Sequence, residues 1–140
     1  MVIGYTTGVF DLFHIGHLNI LRNAKAMCDK LIVGITIDEL LLKRKKKKPV
    51  IPFTERCEIV RNIKCVDVVI AQENMNKFEA RKKLRFDMMF VGDDWNHHQK
   101  WKKFEDKFKD VGVRIVYFPY TKDTSSTLIN KVLTERRKDL

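Results

Sequence analysis

Five short runs of apolar residues recur along the chain, and polar or amphipathic stretches separate them. Each run has the length and composition of a strand that is buried on both faces. The predicted strands span residues 2–6, 31–36, 66–71, 87–91 and 113–118. Most of the stretches between them carry helical patterns, which predicts helices at residues 16–28, 38–42, 54–63, 76–84, 97–109 and 125–136.

This alternation of strands and helices predicts one α/β domain over residues 1–140. We expect a Rossmann-like, doubly wound sheet of about five mostly parallel strands with helices on both faces. Residues 43–52 are predicted to form a loop, because six basic residues run into prolines there. Thr54 is expected to cap the helix that follows. Folds of this class bind ligands at the carboxyl ends of the strands, where the strand order reverses.

The composition narrows the choice of ligand and location. The chain has 28 basic and 18 acidic residues, a formal net charge of +10, which indicates an anionic partner such as a polyphosphate or a nucleic acid. Aromatic residues do not interleave with the basic run at residues 43–48 as a stacking surface would require, so we expect no nucleic acid. No apolar run is long enough to span a membrane, and the first residues lack the pattern of a signal peptide. We therefore expect a cytoplasmic protein.

Residues 8–17, G-V-F-D-L-F-H-I-G-H, lie between the first predicted strand and the first predicted helix. Gly8 allows the chain to turn sharply off the strand, and Gly16 lets a phosphate approach the backbone. His14 and His17 are three residues apart, so they lie on one side of the first helical turn. The helix N-terminus adds free N–H donors and partial positive charge. The segment predicts a phosphate site beside two imidazoles; two histidines could also bind a metal, but no third ligand is near in sequence.

The same segment resembles the signature of the cytidylyltransferase family. Further stretches of the chain are similar to that family: T-I-D-E at 36–39, V-D-V-V-I at 66–70 and V-G-D-D-W at 91–95. Residues 117–127 lie where the family has its R-T-E-G-I-S-T-T stretch. The likeness covers nearly the whole chain and is strongest to the branch of the family that uses glycerol 3-phosphate.

The resemblance implies transfer of the cytidylyl group of CTP to a phosphorylated small alcohol, with release of pyrophosphate. Glycerol 3-phosphate would give CDP-glycerol, a precursor of teichoic-acid-like or capsular polymers. Phosphocholine and phosphoethanolamine are alternative acceptors, and an ATP-using adenylyltransferase of the same fold is an alternative activity. The resemblance also implies Mg²⁺, which enters with CTP, and a homodimer.

Carried over residue by residue, the resemblance assigns three roles. His14, His17 and Lys46 would be catalytic, and Arg44 and Lys77 would bind the acceptor phosphate. No protein side chain is assigned to a metal. The nucleotide would contact these two histidines and Lys46 and the following further residues: Gly8, Val9, Phe10, Asp11, Ile15, Gly16, Lys64, Asp93, Asp94, Tyr120, Thr121, Ser125, Ser126 and Thr127.

Four positions depart from the family pattern. Tyr120 stands where an arginine opens R-T-E-G-I-S-T-T, and Lys64 replaces the arginine before the V-D-x-V-I motif. A lysine keeps the charge but loses the forked hydrogen-bond geometry of arginine. Met75 stands where the glycerol branch has tryptophan, and Val9 replaces a threonine. These differences leave the transfer chemistry intact, but they leave the base and the acceptor open.

Overall fold

Strands alternate with helices throughout residues 1–92, 99–119 and 126–138, the part of the chain that the computed structural model describes. The elements in chain order are β1 (Ile3–Gly8), α1 (Ile15–Ala26), β2 (Lys30–Thr36), α2 (Asp38–Lys45), α3 (Phe53–Arg61), β3 (Val68–Gln72), α4 (Lys77–Leu84), β4 (Met88–Gly92), α5 (Gln99–Asp110), β5 (Arg114–Phe118) and α6 (Ser126–Lys138).

The strands form one parallel sheet in the order β3-β2-β1-β4-β5. The predicted fold class, a Rossmann-like α/β fold, is confirmed. The chain proceeds outward from β1 to β3 and then returns to place β4 on the other side of β1. The strand order therefore reverses between β1 and β4, so the crevice for a ligand lies at the carboxyl ends of these two strands.

Each face of the sheet has its own apolar core. Helices α1 and α3 cover one face, where the fully buried residues include Leu21, Val33, Val60 and Phe90. Helices α4 and α5 cover the other face, where the buried residues include Tyr5, Ile32, Phe86, Met89 and Phe108. Residues 31–36 of β2 are all buried, as expected for a strand enclosed on both faces.

The helices differ from the predicted ones in two places. Helix α2 continues through Lys45 and ends at Lys46, which adopts a left-handed conformation (φ 51°), so the predicted loop is wrong for its first residues. Lysine and arginine favour helices, and cations at a helix C-terminus interact well with the helix dipole. Thr54 does not cap α3, because Pro52 occupies that position. No helix among the described residues is long and apolar enough to cross a bilayer.

Candidate active site

The chain leaves β1 through a strained turn. Phe10 (φ 53°) and Leu12 (φ 49°) both lie in the left-handed region, which residues other than glycine rarely adopt. The Phe10 ring is buried and lies so close to Gly8 that a Cβ at that position would approach it to 2.8 Å. Burial of this ring stabilises the strained backbone, and strain of this kind often marks functional sites. The turn starts α1 directly beyond the carboxyl end of β1.

Two histidines cap the first turn of α1 reciprocally. Nδ1 of His14 accepts the N–H of Gly16 at 3.0 Å, and Nδ1 of His17 accepts the N–H of His14 at 3.2 Å. This arrangement is a capping box in which imidazoles replace the usual hydroxyl and carboxylate. Since both Nδ1 atoms accept, the proton of each neutral ring is on Nε2. Each histidine therefore keeps one N–H donor for a ligand.

The two imidazoles are neutral at physiological pH. Burial and, to a smaller extent, the charge of a protonated His14 outweigh the opposing effect of Asp11, and together these effects lower the pKa of His17 to about 4. Burial also lowers the pKa of His14. The rings are stacked with their centroids 3.9 Å apart, so two imidazolium charges would repel strongly. The site offers two aligned, uncharged donors beside the helix N-terminus, and such a site suits phosphate oxygens.

A buried arginine that the sequence analysis missed holds the surrounding backbone in place. The guanidinium of Arg56 is completely buried. It donates to the carbonyl oxygens of Val9 (2.7 Å), Thr36 (2.9 Å) and Ile51 (2.9 Å), and it forms an ion pair with Asp38. These contacts join the turn after β1, the end of β2 and the segment before α3. Arg56 thus fixes the shape of the site without needing to contact a ligand.

Asp11 stabilises the same segment from the other side. Its carboxylate accepts the N–H groups of Val50 (2.8 Å) and Ile51 (2.9 Å). The turn that carries the histidines is therefore attached to the chain that follows the basic run at residues 43–48. The structure gives the carboxylate of Asp11 this anchoring role, and contact with a nucleotide stays a prediction.

Lys77 supplies a buried positive charge at the same edge of the sheet. Only 8% of the residue is exposed, although lysine is almost never buried without a partner. Nζ lies 3.3 Å from Oγ1 of Thr7 and 5.3 Å from the centre of the Trp101 ring. Within the described residues, no carboxylate pairs with it. Burial, and then the nearby charge of Arg44, lower the pKa of Lys77 to about 8.

The structure brings most of the predicted site residues to the carboxyl edge of the sheet. The turn and the start of α1 place Gly8, Val9, Phe10, Asp11, His14, Ile15, Gly16 and His17 together. Lys77 reaches the same edge through Thr7, and Arg44 is close enough to lower its pKa. Lys46 is exposed at the end of α2.

Other predicted residues are not brought to this edge or are not described. Lys64 is exposed between α3 and β3, at the edge of the sheet where the strands have their amino ends. Within one chain it therefore does not lie with the predicted site residues at the carboxyl edge. Ser126 and Thr127 begin α6. The predictions for Asp93, Asp94, Tyr120, Thr121 and Ser125 lie outside the described residues. Within the described ranges, no three His, Cys, Asp or Glu side chains form a group that could hold a metal ion.

A family model described as Cytidylyltransferase-like matches residues 5–132. The chain belongs to this family. The match includes the turn with both histidines, as well as Arg44, Lys46, Arg56 and Lys77. Membership of the cytidylyltransferase-like family places the chain among the nucleotidyltransferases and implies a nucleotide substrate.

Relatives within the family carry two different activities in their names. The chain is 37% identical to a glycerol-3-phosphate cytidylyltransferase of Bacillus spizizenii over 90% of this chain and 92% of that protein. It is 33% identical to an FAD synthase of Thermococcus sibiricus over 91% of this chain and 87% of that protein. It is 34% identical to an FAD synthase of Pyrococcus abyssi over 90% and 86% of the two chains.

Solved structures of lower identity share the fold of this cytidylyltransferase-like chain. A lipopolysaccharide core biosynthesis protein from Thermoplasma volcanium superposes with a TM-score of 0.71 at 22% identity, over 89% of this chain and 99% of that one. A pantoate-beta-alanine ligase from Francisella tularensis superposes with a TM-score of 0.68 at 14% identity, over 92% of this chain and 65% of that one. At these identities the likeness establishes the fold alone.

Proposed function

We propose that the chain transfers the cytidylyl group of CTP to the phosphate of a small phosphorylated alcohol, with glycerol 3-phosphate as the first candidate. The products would be CDP-glycerol and pyrophosphate. The observation that carries the proposal is that one sheet edge carries two separate groups that suit anions. The histidine pair at the start of α1 is one, and the buried ammonium of Lys77 is the other. A reaction between a triphosphate and a phosphate monoester needs both.

The reaction joins two phosphates and needs no strong base. An oxygen of the acceptor phosphate, ionised at neutral pH with a second pKa of about 6, attacks the α-phosphorus of CTP. A new phosphorus–oxygen bond forms, and the bond from the α-phosphorus to the bridging oxygen breaks. Pyrophosphate leaves with that electron pair. Mg²⁺ belongs to the substrate, which is the magnesium complex of CTP.

The side chains then bind, orient and stabilise charge. The Nε2–H groups of His14 and His17 donate to phosphate oxygens on which negative charge increases in the transition state. Lys46 is exposed at the end of α2, and in this proposal it contacts the triphosphate. Lys77 and Arg44 hold the acceptor phosphate. Catalysis by positioning and charge stabilisation is the general pattern of phosphoryl transfer.

The crevice beside Lys77 favours a small, hydroxylated acceptor. Its volume is about 110 Å³, well below the ~300–1,000 Å³ of pockets for larger ligands. Its lining includes the polar side chains of Asn74 and Asn76, which suit hydroxyl groups. Tyr5 is the one aromatic residue among the described residues that line it, and this ring is 3% exposed. A quaternary ammonium such as choline prefers an aromatic cage, so these features favour glycerol 3-phosphate over phosphocholine.

The FAD synthase relatives favour a second candidate function, adenylyl transfer from ATP to flavin mononucleotide. Their identity to this chain, 33% and 34% over about nine tenths of its length, is comparable to that of the glycerol-3-phosphate cytidylyltransferase. The same two anion sites would serve this reaction. In this reaction the three-ring system of the flavin would extend out of the open crevice.

Release of pyrophosphate from matched pairs of substrates tests the proposal. CTP or ATP is combined with glycerol 3-phosphate, phosphocholine, phosphoethanolamine or flavin mononucleotide in the presence of Mg²⁺. We expect the highest kcat/KM for CTP with glycerol 3-phosphate and no turnover with unphosphorylated glycerol. Preference for ATP with flavin mononucleotide would establish the second candidate. No pyrophosphate release with any phosphorylated acceptor would overturn the proposal. Sedimentation of the same preparation tests the predicted homodimer.

A further inference from the structure

Thr7 lies between the two anion sites. It is the penultimate residue of β1 and directly precedes Gly8, where the turn to the histidines begins. Its Oγ1 accepts a hydrogen bond from Nζ of Lys77 at 3.3 Å. Thr7 is the one residue of β1 that the structure shows bonded to this buried ammonium. Its hydroxyl therefore determines where the charge of Lys77 lies relative to the turn.

The neighbouring strand fixes the orientation of the Thr7 side chain. Thr7 pairs with Gly34 of β2 in the sheet register. A Cβ at Gly34 would lie 3.1 Å from Cγ2 of Thr7 and 2.8 Å from the hydroxyl of Tyr5. The methyl group of Thr7 thus occupies the space that Gly34 leaves open. Threonine has few side-chain rotamers, so this contact leaves the hydroxyl on the side of Lys77.

The hydroxyl proton of Thr7 has no acceptor among the described residues. A threonine hydroxyl has one proton to donate and two lone pairs that accept. The Lys77 ammonium uses one lone pair, and no acceptor for the Thr7 proton occurs among the hydrogen bonds of the described residues. A phosphate oxygen held by Lys77 would lie within reach of this proton.

We propose that Thr7 is a positioning residue for the acceptor phosphate. Its hydroxyl oxygen holds the Lys77 ammonium at the end of β1, and its hydroxyl proton points toward the same phosphate. This inference rests on the proposed function, because that function supplies the acceptor. It adds a residue that the family resemblance did not assign. The neutral hydroxyl of Thr7, and not a carboxylate, would then fix the position of the Lys77 ammonium. Because a hydroxyl does not neutralise the ammonium, the positive charge stays available to the substrate.

The charged and titratable groups around Lys77 belong to several elements. Arg44 comes from α2 and lowers the pKa of Lys77, and Tyr5 comes from β1. Glu73 follows β3, while Glu79 and Lys83 belong to α4, and all three line the adjoining crevice. The indole of Trp101 from α5 contributes no charge. Substitution of the uncharged Thr7 leaves all of these groups in place.

Three variants separate this role from a general effect on the fold. Thr7→Val removes the hydroxyl and keeps the shape, and Thr7→Ser keeps the hydroxyl. Thr6→Val is the matched control, because Oγ1 of Thr6 donates to the Phe90 carbonyl at 3.0 Å on the opposite face of β1. If Thr7→Val does not fold, Thr7→Ala takes its place and is judged by the same measurements.

The first measurement does not depend on turnover. Carbon NMR of protein labelled at lysine Cε, assigned with Lys77→Met, gives the titration midpoint of Lys77. We expect a lower midpoint in Thr7→Val, because the charged form loses a hydrogen-bond partner, and recovery in Thr7→Ser. Binding of inorganic phosphate, followed by isothermal titration calorimetry, should weaken about tenfold in Thr7→Val and stay unchanged in Thr7→Ser and Thr6→Val. Unchanged midpoint and phosphate affinity in Thr7→Val would overturn the inference.

The second measurement is kinetic. Thr7→Val should raise KM for the phosphorylated acceptor about tenfold and leave KM for CTP unchanged, while Thr7→Ser and Thr6→Val should resemble wild type. Equal changes in both KM values, or no rescue by serine, would contradict a role at the acceptor phosphate. If the wild-type protein transfers nothing to any acceptor, the proposed function fails, and the titration and phosphate-binding results still decide whether Thr7 positions Lys77.

Discussion

Replacement of Lys77 by methionine is expected to stabilise the fold and to abolish transfer. The fall in the pKa of Lys77 from 10.5 to about 8 corresponds to about 3 kcal/mol of destabilisation at pH 7, where the folded protein must keep the charge buried. Methionine keeps an unbranched apolar chain of similar length. It loses the hydrogen bond to Thr7 and the contact with the Trp101 ring, each of which contributes about 1 kcal/mol.

The difference leaves Lys77→Met with a free energy of unfolding that is higher than that of wild type by roughly 1–2 kcal/mol, or a rise in Tm of about 3–8 °C. Because the folded-state pKa is lower than the unfolded one, the unfolded chain binds more protons between pH 8 and pH 10.5. The gain in the variant should therefore be complete below pH 8 and should decrease as the pH rises through this window. A stability gain that accompanies loss of function is typical of a residue kept for its role in a site.

Urea unfolding at pH 7 and at pH 10, together with pyrophosphate release, tests this prediction. Lys82→Met is the matched control, since Lys82 is an exposed residue of the same helix. We expect the free energy of unfolding of Lys82→Met to stay within about 0.5 kcal/mol of wild type. A clear loss of stability in Lys77→Met at pH 7, or turnover at the wild-type rate, would refute the reasoning.

Three further predictions follow from the site. His14→Ala and His17→Ala should each lower kcat by roughly 100- to 1000-fold, because a donor to the transition state is lost, while circular dichroism shows a preserved fold; a near-normal rate in either would refute the assigned role. Arg56→Met should lower the free energy of unfolding in urea by roughly 3–5 kcal/mol, because Asp38 and three carbonyl groups lose their partner. An unchanged free energy of unfolding would show that these contacts are dispensable. The free energy of unfolding should fall as the pH decreases from 6.5 to about 4, because His17 is protonated at higher pH in the unfolded chain than in the folded protein. In His17→Gln, the fall in the free energy of unfolding over this range should be smaller by about 2 kcal/mol. An equal pH dependence in the variant and the wild type would contradict the burial of the ring.

The sheet and the histidine pair could be predicted from the sequence because both depend on local patterns. Strands such as β2 are continuous apolar runs, and their alternation with helices leaves few possible topologies. His14 and His17 lie within one short motif, so their spacing determines their relative position on α1. The limits of α2 were harder to predict. A run of lysines suits the last turn of a helix as well as a loop, and the pattern alone does not distinguish them.

The roles of Arg56 and Lys77 depend on contacts between segments that are far apart in the chain. Arg56 binds Val9, 47 residues away, and Lys77 binds Thr7, 70 residues away. The available signal for Arg56 was a basic residue next to the buried Cys57 on the apolar side of α3. Lysine and arginine are normally exposed, so composition gave no reason to expect two buried cations.

Nitrogen NMR of the histidine side chains tests the central claim most directly. In protein labelled with ¹⁵N-histidine at pH 7, with signals assigned from the alanine variants, we expect His14 and His17 to be neutral, with the proton on Nε2 and none on Nδ1. Addition of the magnesium complex of CTP should shift both Nε2–H protons downfield as they bind phosphate oxygens. Protons on Nδ1, charged rings in the free protein, or signals that do not change at saturating CTP would contradict a nucleotide site at the start of α1.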